Sequence, residues 1–73
     1  MNAHPSGARR HGRVIDYDDA AGYGTVTDGD GVWFFHCTAI ADGSRHIDDG
    51  TDVAFVLRPG HLGQWEARDV QPG

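Results

Sequence analysis

Glycine interrupts this chain too often for anything but short, extended elements. Gly12, Gly22, Gly24, Gly29, Gly31, Gly43, Gly50, Gly60 and Gly63 punctuate it at close spacing. Between them lie runs rich in β-branched and aromatic residues: Arg13 to Tyr17, Tyr23 to Thr27, Val32 to His36, Val53 to Leu57 and Trp65 to Val70. Such runs, bounded by turn residues, read as five strands, and almost nothing reads as a helix. Asp28-Gly29-Asp30-Gly31, between the second and third runs, is a tight hairpin signal because glycine and aspartate tolerate the positive φ that such turns require.

The fourth run alternates, so Val53, Phe55 and Leu57 share a parity and face inward, with Ala54 and Val56 outside. In the fifth run the two residues suited to the core, Ala67 and Val70, stand three apart, and a bulge between them reconciles that spacing with a strand. The segment Cys37 to Thr51 is too long for a hairpin, and Thr38-Ala39-Ile40 suggests one helical turn at its start. Five short strands with one long connection after the third predict an all-β fold: a small, partly open, antiparallel Greek-key barrel of the oligonucleotide/oligosaccharide-binding type, since a sandwich needs more strands.

At 73 residues the chain has room for one domain and little for a deep, enclosed catalytic pocket. Its single cysteine, Cys37, has no intramolecular disulfide partner, and Met1 to Gly12 contains no apolar run, so the sequence reads as a cytoplasmic protein without signal peptide or membrane span. Six arginines and no lysine stand against eleven acids, a formal charge of −5 that repels polyphosphate overall. The charge is uneven. Arg9, Arg10 and Arg13, with His4 and His11, form a short basic stretch that reads either as a phosphate contact or as a solvated leader. The expected organisation is a flexible basic arm over 1–11 and a barrel over 12–71.

Gly22-Tyr23-Gly24 followed by Val26, then Phe34-Phe35-His36 and Thr38-Ala39-Ile40, resemble the bacterial cold-shock domain family. The match runs from Gly12 to Val70 and takes in Gly12 and Val14, the Gly-aromatic-Gly core of the first ribonucleoprotein motif, the Phe-x-His of the second, Ile47-Asp48-Asp49-Gly50, and Val53-x-Phe55. The resemblance implies a barrel whose first three strands carry the binding face, and single-stranded RNA or DNA as ligand. Outward aromatic rings there serve as platforms for unstacked bases while basic groups at the rim hold phosphates.

Carried onto this chain, the resemblance implies a face of Tyr17, Tyr23, Phe34 and His36, with Trp65 near the loop joining strands four and five and Arg13 as the cation nearest the sheet. Alternation puts Trp33 and Phe35 in the core. Each ring also reads as hydrophobic packing, and Trp65 equally as a cap on the barrel end. Departures from the family pattern concentrate on this face. Ile15 and Asp16 replace a cation and a tryptophan, Ala21 a lysine, Thr25 the second aromatic of the first motif, and Cys37 the aromatic after the histidine. The chain therefore looks like an acidic member with a depleted face.

Other chemistries find less support. His36 and Cys37 point to opposite faces and lack further ligands, so no metal or other cofactor is expected. Asp16, Asp18 and Asp19 with His36 offer neither a nucleophile nor an oxyanion hole, so no enzyme activity and no small-molecule substrate are expected. Two functions remain: a monomeric, weak, low-specificity single-stranded nucleic-acid binder of the RNA-chaperone or regulator type, or a cold-shock-like barrel turned into a protein-protein interaction module through Ile15 and the acidic edge.

Overall fold

The computed structural model describes residues 9–60 and 63–73. Its five strands are β1 (Arg10–Asp18), β2 (Tyr23–Thr27), β3 (Val32–His36), β4 (Asp52–Pro59) and β5 (Trp65–Pro72), with a 3₁₀ turn over Cys37–Ala39. They close into a barrel in the order β1-β2-β3-β5-β4. Four of the pairings are antiparallel and one, β3 with β5, is parallel. The expected five-stranded all-β barrel is thus present, closed rather than partly open and with one parallel pairing among the antiparallel ones. In a closed ring with an odd number of strands, direction cannot alternate all the way round, so closure itself demands a parallel neighbour.

The first strand is longer than its apolar run because it serves two partners. Arg10 to Arg13 pair with Asp52 to Phe55 of β4, and Arg13 to Asp18 pair with β2. Arg10 and His11, grouped with the arm on sequence, are thus strand residues, while residues 1–8 of the arm lie outside the described residues. Gly12 sits where β1 crosses from one partner to the other, and a Cβ there would run into the carbonyl oxygen of Thr27.

Two bulges set which side chains reach the interior. In β1, Val14 pairs with Val26 and Asp16 with the next residue along, Thr25, so Ile15 is the extra residue. In β5, Asp69 and Val70 lie opposite the single residue Phe55, and Asp69 adopts φ 53° to make room. That bulge is the one inferred from the spacing of Ala67 and Val70, both of which are fully buried.

The core is built from Val14, Val26, Phe35, Val53, Phe55, Leu57, Ala67 and Val70 of the strands, closed by Ile40 and Ile47 from the long connection. Ile40 bridges to Val70 in parallel fashion, and the Ala41 N–H donates to the Val70 carbonyl at 2.8 Å. The connection is thereby anchored at its start. Val56, expected outside, is buried as well; it pairs with Arg68, a residue whose aliphatic stem suits an apolar neighbour.

Candidate functional site

The registers of β1, β2 and β3 place their side chains in cross-strand ranks. Val14, Val26 and Trp33 form one inward rank, and Tyr17, Gly24 and Phe35 another. Outward lie Asp16, Thr25 and Phe34, then Asp18, Tyr23 and His36, and at the far end Arg13, Thr27 and Val32.

On that outer face Tyr23 and Phe34 meet with ring centroids 5.1 Å apart at an interplanar angle of 38°, and Phe34 meets His36 edge-on at 4.9 Å. Three rings therefore form one continuous aromatic strip. Tyr23 keeps 45% of its surface exposed, although tyrosine is a large side chain that gains by burial. Beside the strip runs a shallow groove lined by Asp16, Tyr17, Asp18, Tyr23, Gly24, Thr25 and Phe34. Gly24 lines the groove with its backbone while ranking inward, and it lets β1 and β2 approach closely: a Cβ there would collide with the Asp16 carbonyl oxygen.

Tyr17 does not join the strip as expected. The extra residue at Ile15 reverses the facing of the rest of β1, so the Tyr17 ring stacks on core Phe35 at 5.7 Å and its hydroxyl donates to the Arg45 carbonyl at 2.7 Å. Burial, with Cys37, Asp19 and Asp18 nearby, raises the pKa of that hydroxyl and keeps it a donor. Trp33 and Phe35 point inward as expected; Trp33 lies 6.1 Å from the Phe55 ring.

The cations are also placed differently from the sequence reading. Arg9 is ion-paired with Asp69, and Arg10 with Asp28 at 2.6 Å while also lying over the Trp33 ring at 5.3 Å. Arg68 sits 3.4 Å from buried Glu66. Arg13 is exposed on the outer face, two residues along the ladder from the Phe34 rank and four from the Tyr23 rank, about 7 and about 13 Å at strand rise. Trp65 opens β5 opposite Pro59 and is 48% exposed, so it stands at the surface rather than in the barrel.

Sequence reading missed how Asp16 is held. Thr25 donates its hydroxyl proton to Asp16 Oδ1 at 2.7 Å, a contact that depends on the register set by the bulge at Ile15. It also missed a clamp beside the site. His46 Nδ1 lies 2.8 Å from Asp19 Oδ1 and Nε2 3.0 Å from Asp48 Oδ1, joining the β1–β2 turn to the long connection, and its ring meets Tyr17 edge-on at 6.1 Å.

A neutral imidazole has one N–H and can donate to only one of the two carboxylates, whereas the imidazolium donates to both. The hydrogen bond to Asp19, then that to Asp48, raises the pKa of His46 above its ordinary value of about 6.5. A raised folded-state pKa gives stability that is complete below the unfolded value and lost as pH rises through the folded one. The expected result is that His46→Gln lowers the melting temperature more at about pH 5.5 than at about pH 8. Ring-proton NMR showing His46 titrating at or below the ordinary value contradicts the clamp.

No protein-family model and no curated protein matches the chain. Among solved structures the fold resembles one described as Drosophila Unr CSD456, with a TM-score of 0.74 and 24% sequence identity, over 90% of this chain and 27% of that one. The chain thus spans little more than a quarter of that structure's length. The likeness is one of fold, and it makes the barrel a cold-shock-like one.

Proposed function

We propose that this barrel is a weak binder of single-stranded nucleic acid, RNA or DNA, that takes a few bases on the strip formed by Tyr23, Phe34 and His36. One observation carries the reading: three contiguous rings on the outer face of β1–β3, partly exposed and paired with one another rather than withdrawn into the core. Bases stack on such rings whatever their identity, so affinity does not require a built pocket. The sequence motifs that bear the cold-shock resemblance fall on the same strands. In this reading the protein acts as a cytoplasmic monomer of the RNA-chaperone or regulator type, an atypical acidic relative of the bacterial cold-shock proteins.

The charge layout supports weak binding. Arg9, Arg10 and Arg68 are engaged with carboxylates and Arg58 turns its guanidinium to the Leu57 carbonyl, which leaves Arg13 and Arg45, so few cations are left to displace counterions from a strand. With one or two phosphates neutralised, the logarithm of the binding constant should fall against the logarithm of salt with a slope of about −1. The test is a chemical-shift titration with a short mixed-pyrimidine single strand at several salt concentrations. Shifts centred on Tyr23, Phe34 and His36 with a shallow salt slope are expected. A slope of about −4 or steeper, as for six phosphates, overturns the charge argument, and absence of shifts on these residues overturns the reading.

A second reading draws on Ile15, which stands 45% exposed on the β1 bulge next to Asp16. An apolar side chain beside Asp16 suits a basic, partly apolar protein surface. Shifts centred on Ile15 with a protein ligand, and none with single strands, would favour it.

A further inference from the structure

The polar side chains that share a rank with the rings on the β1 side, Asp16 and Asp18, are acceptors, and Arg13 stands one rank further along. Asp16, Thr25 and Phe34 stand in one rank across three strands, and the hydroxyl of Thr25 spends its single proton on Asp16 Oδ1 at 2.7 Å. What Thr25 still presents to a ligand is lone pairs, and what Asp16 presents is its second oxygen, held in place by that bond. Asp18, in the rank of Tyr23, is arranged in the same way, with one oxygen taking the Ala21 N–H at 3.1 Å. The groove lined by these residues, by the Tyr23 and Phe34 rings and by Tyr17, whose hydroxyl proton is spent on the Arg45 carbonyl, is therefore bounded by aromatic rings on one side and by acceptors on the other.

We infer that this face selects bases carrying an exocyclic amino group, reading cytosine over uracil, with Asp16 as the reading residue and Thr25 positioning it. The inference rests on the nucleic-acid reading above and adds to it a preference that stacking alone does not supply. Cytosine and uracil have nearly the same ring area and so stack alike. They differ at the edge: cytosine offers an amino donor at position 4 where uracil offers a carbonyl oxygen. A carboxylate accepting from the cytosine amine is an established pairing in base recognition. The same carboxylate facing the uracil oxygen sets two acceptors against each other, with no proton between them. Thr25 gives no relief, because its proton already points at Asp16. Adenine and guanine also present amino groups, so the disfavoured class is uracil and thymine, whose one edge donor, N3–H, lies between two carbonyl oxygens that repel a carboxylate.

Asp16 is exposed, and water screens its charge, so the discrimination should be about tenfold in affinity, toward the low end of that expected for base-edge contacts. The experiment compares short oligodeoxycytidine with oligodeoxyuridine of equal length at neutral pH, by fluorescence anisotropy, for the wild type, Asp16→Asn and Thr25→Val. The wild type should bind the cytidine strand about tenfold more tightly. Asp16→Asn keeps an acceptor for the Thr25 hydroxyl and so preserves the fold, but it offers both a donor and an acceptor to the base. The ratio should then fall to about twofold or less, with uridine affinity rising as the negative charge is removed. Thr25→Val leaves the charge intact and frees the carboxylate to rotate, so the ratio should fall without a rise in uridine affinity. If the wild type binds neither strand, the nucleic-acid reading itself fails. If it binds both equally or prefers uridine, or if Asp16→Asn leaves the ratio unchanged, that reading stands and the inference about Asp16 is overturned.

Discussion

Replacing Phe35 by alanine should cost this barrel about 3–5 kcal/mol, the range for truncating a fully buried phenylalanine. At roughly 0.05–0.15 kcal/mol per residue a chain of this length has only about 4–11 kcal/mol in total, so the variant should be largely unfolded or close to it. The site has little means of collapsing around the hole. Phe35 is fully buried and lies across from Gly24, which has no side chain to move in. Tyr17, stacked on its ring, is tethered by its hydroxyl to the Arg45 carbonyl. Urea denaturation of Phe35→Ala beside Phe34→Ala is the check, because adjacent strand residues face opposite sides. The Phe34 variant should lose about 1 kcal/mol or less, being on the outer face. Equal losses in the two would mean that the facing of β3 is wrong, and with it the binding strip.

The fold was largely legible because its signals are local. Close glycines, β-branched runs and the Asp28–Gly31 hairpin require no knowledge of distant contacts, and all five strands appear where these signals put them. The two bulges show where legibility ends. In β5, Ala67 and Val70 admit only an interior role, so their three-residue spacing announces an extra residue. In β1, Val14 and Tyr17 have the same spacing and enclose the same device, but tyrosine has an apolar body and a polar tip and suits either side of a sheet. Placing Tyr17 on the surface therefore met no contradiction in the sequence. Its side was decided by contacts with Phe35 and Arg45, distant in the chain.

Charge behaves in the same way. Arg9 and Arg10 look like a free basic arm in the sequence, but Arg9 meets Asp69 and Arg10 meets Asp28, partners 60 and 18 residues away. Net charge is a property of composition, whereas the availability of a given cation is a property of topology. The site itself was half legible. That Tyr23, Phe34 and His36 share one face could be read because a glycine-flanked aromatic and a Phe-x-His are local patterns. The Asp16–Thr25 pair was not, since it depends on a register that the Ile15 bulge shifts by one.

Tyr23→Ala and Phe34→Ala should each weaken single-strand binding by about 1–3 kcal/mol, roughly 5- to 150-fold, while leaving the barrel folded. The two losses should not add. The rings touch at 5.1 Å, so removing either also frees the other to reorient, and the double variant should lose less than the sum. The converse variant fills the acidic side of the face. Asp16 and Thr25 stand beside Phe34 in one outward rank, so Asp16→Trp with Thr25→Phe would extend the strip across all three strands. It removes one carboxylate, adds two stacking surfaces and touches no core residue, so affinity should rise and stability change little. It should also abolish the preference for cytosine, because the acceptor that reads the amine has gone. Fluorescence titration with a short single strand measures all of these variants on one scale. If alanine at Tyr23 and Phe34 leaves affinity unchanged, bases do not lie on the strip; if the filled face still binds no single strand, the barrel is better explained as a protein-interaction module centred on Ile15 and Asp16.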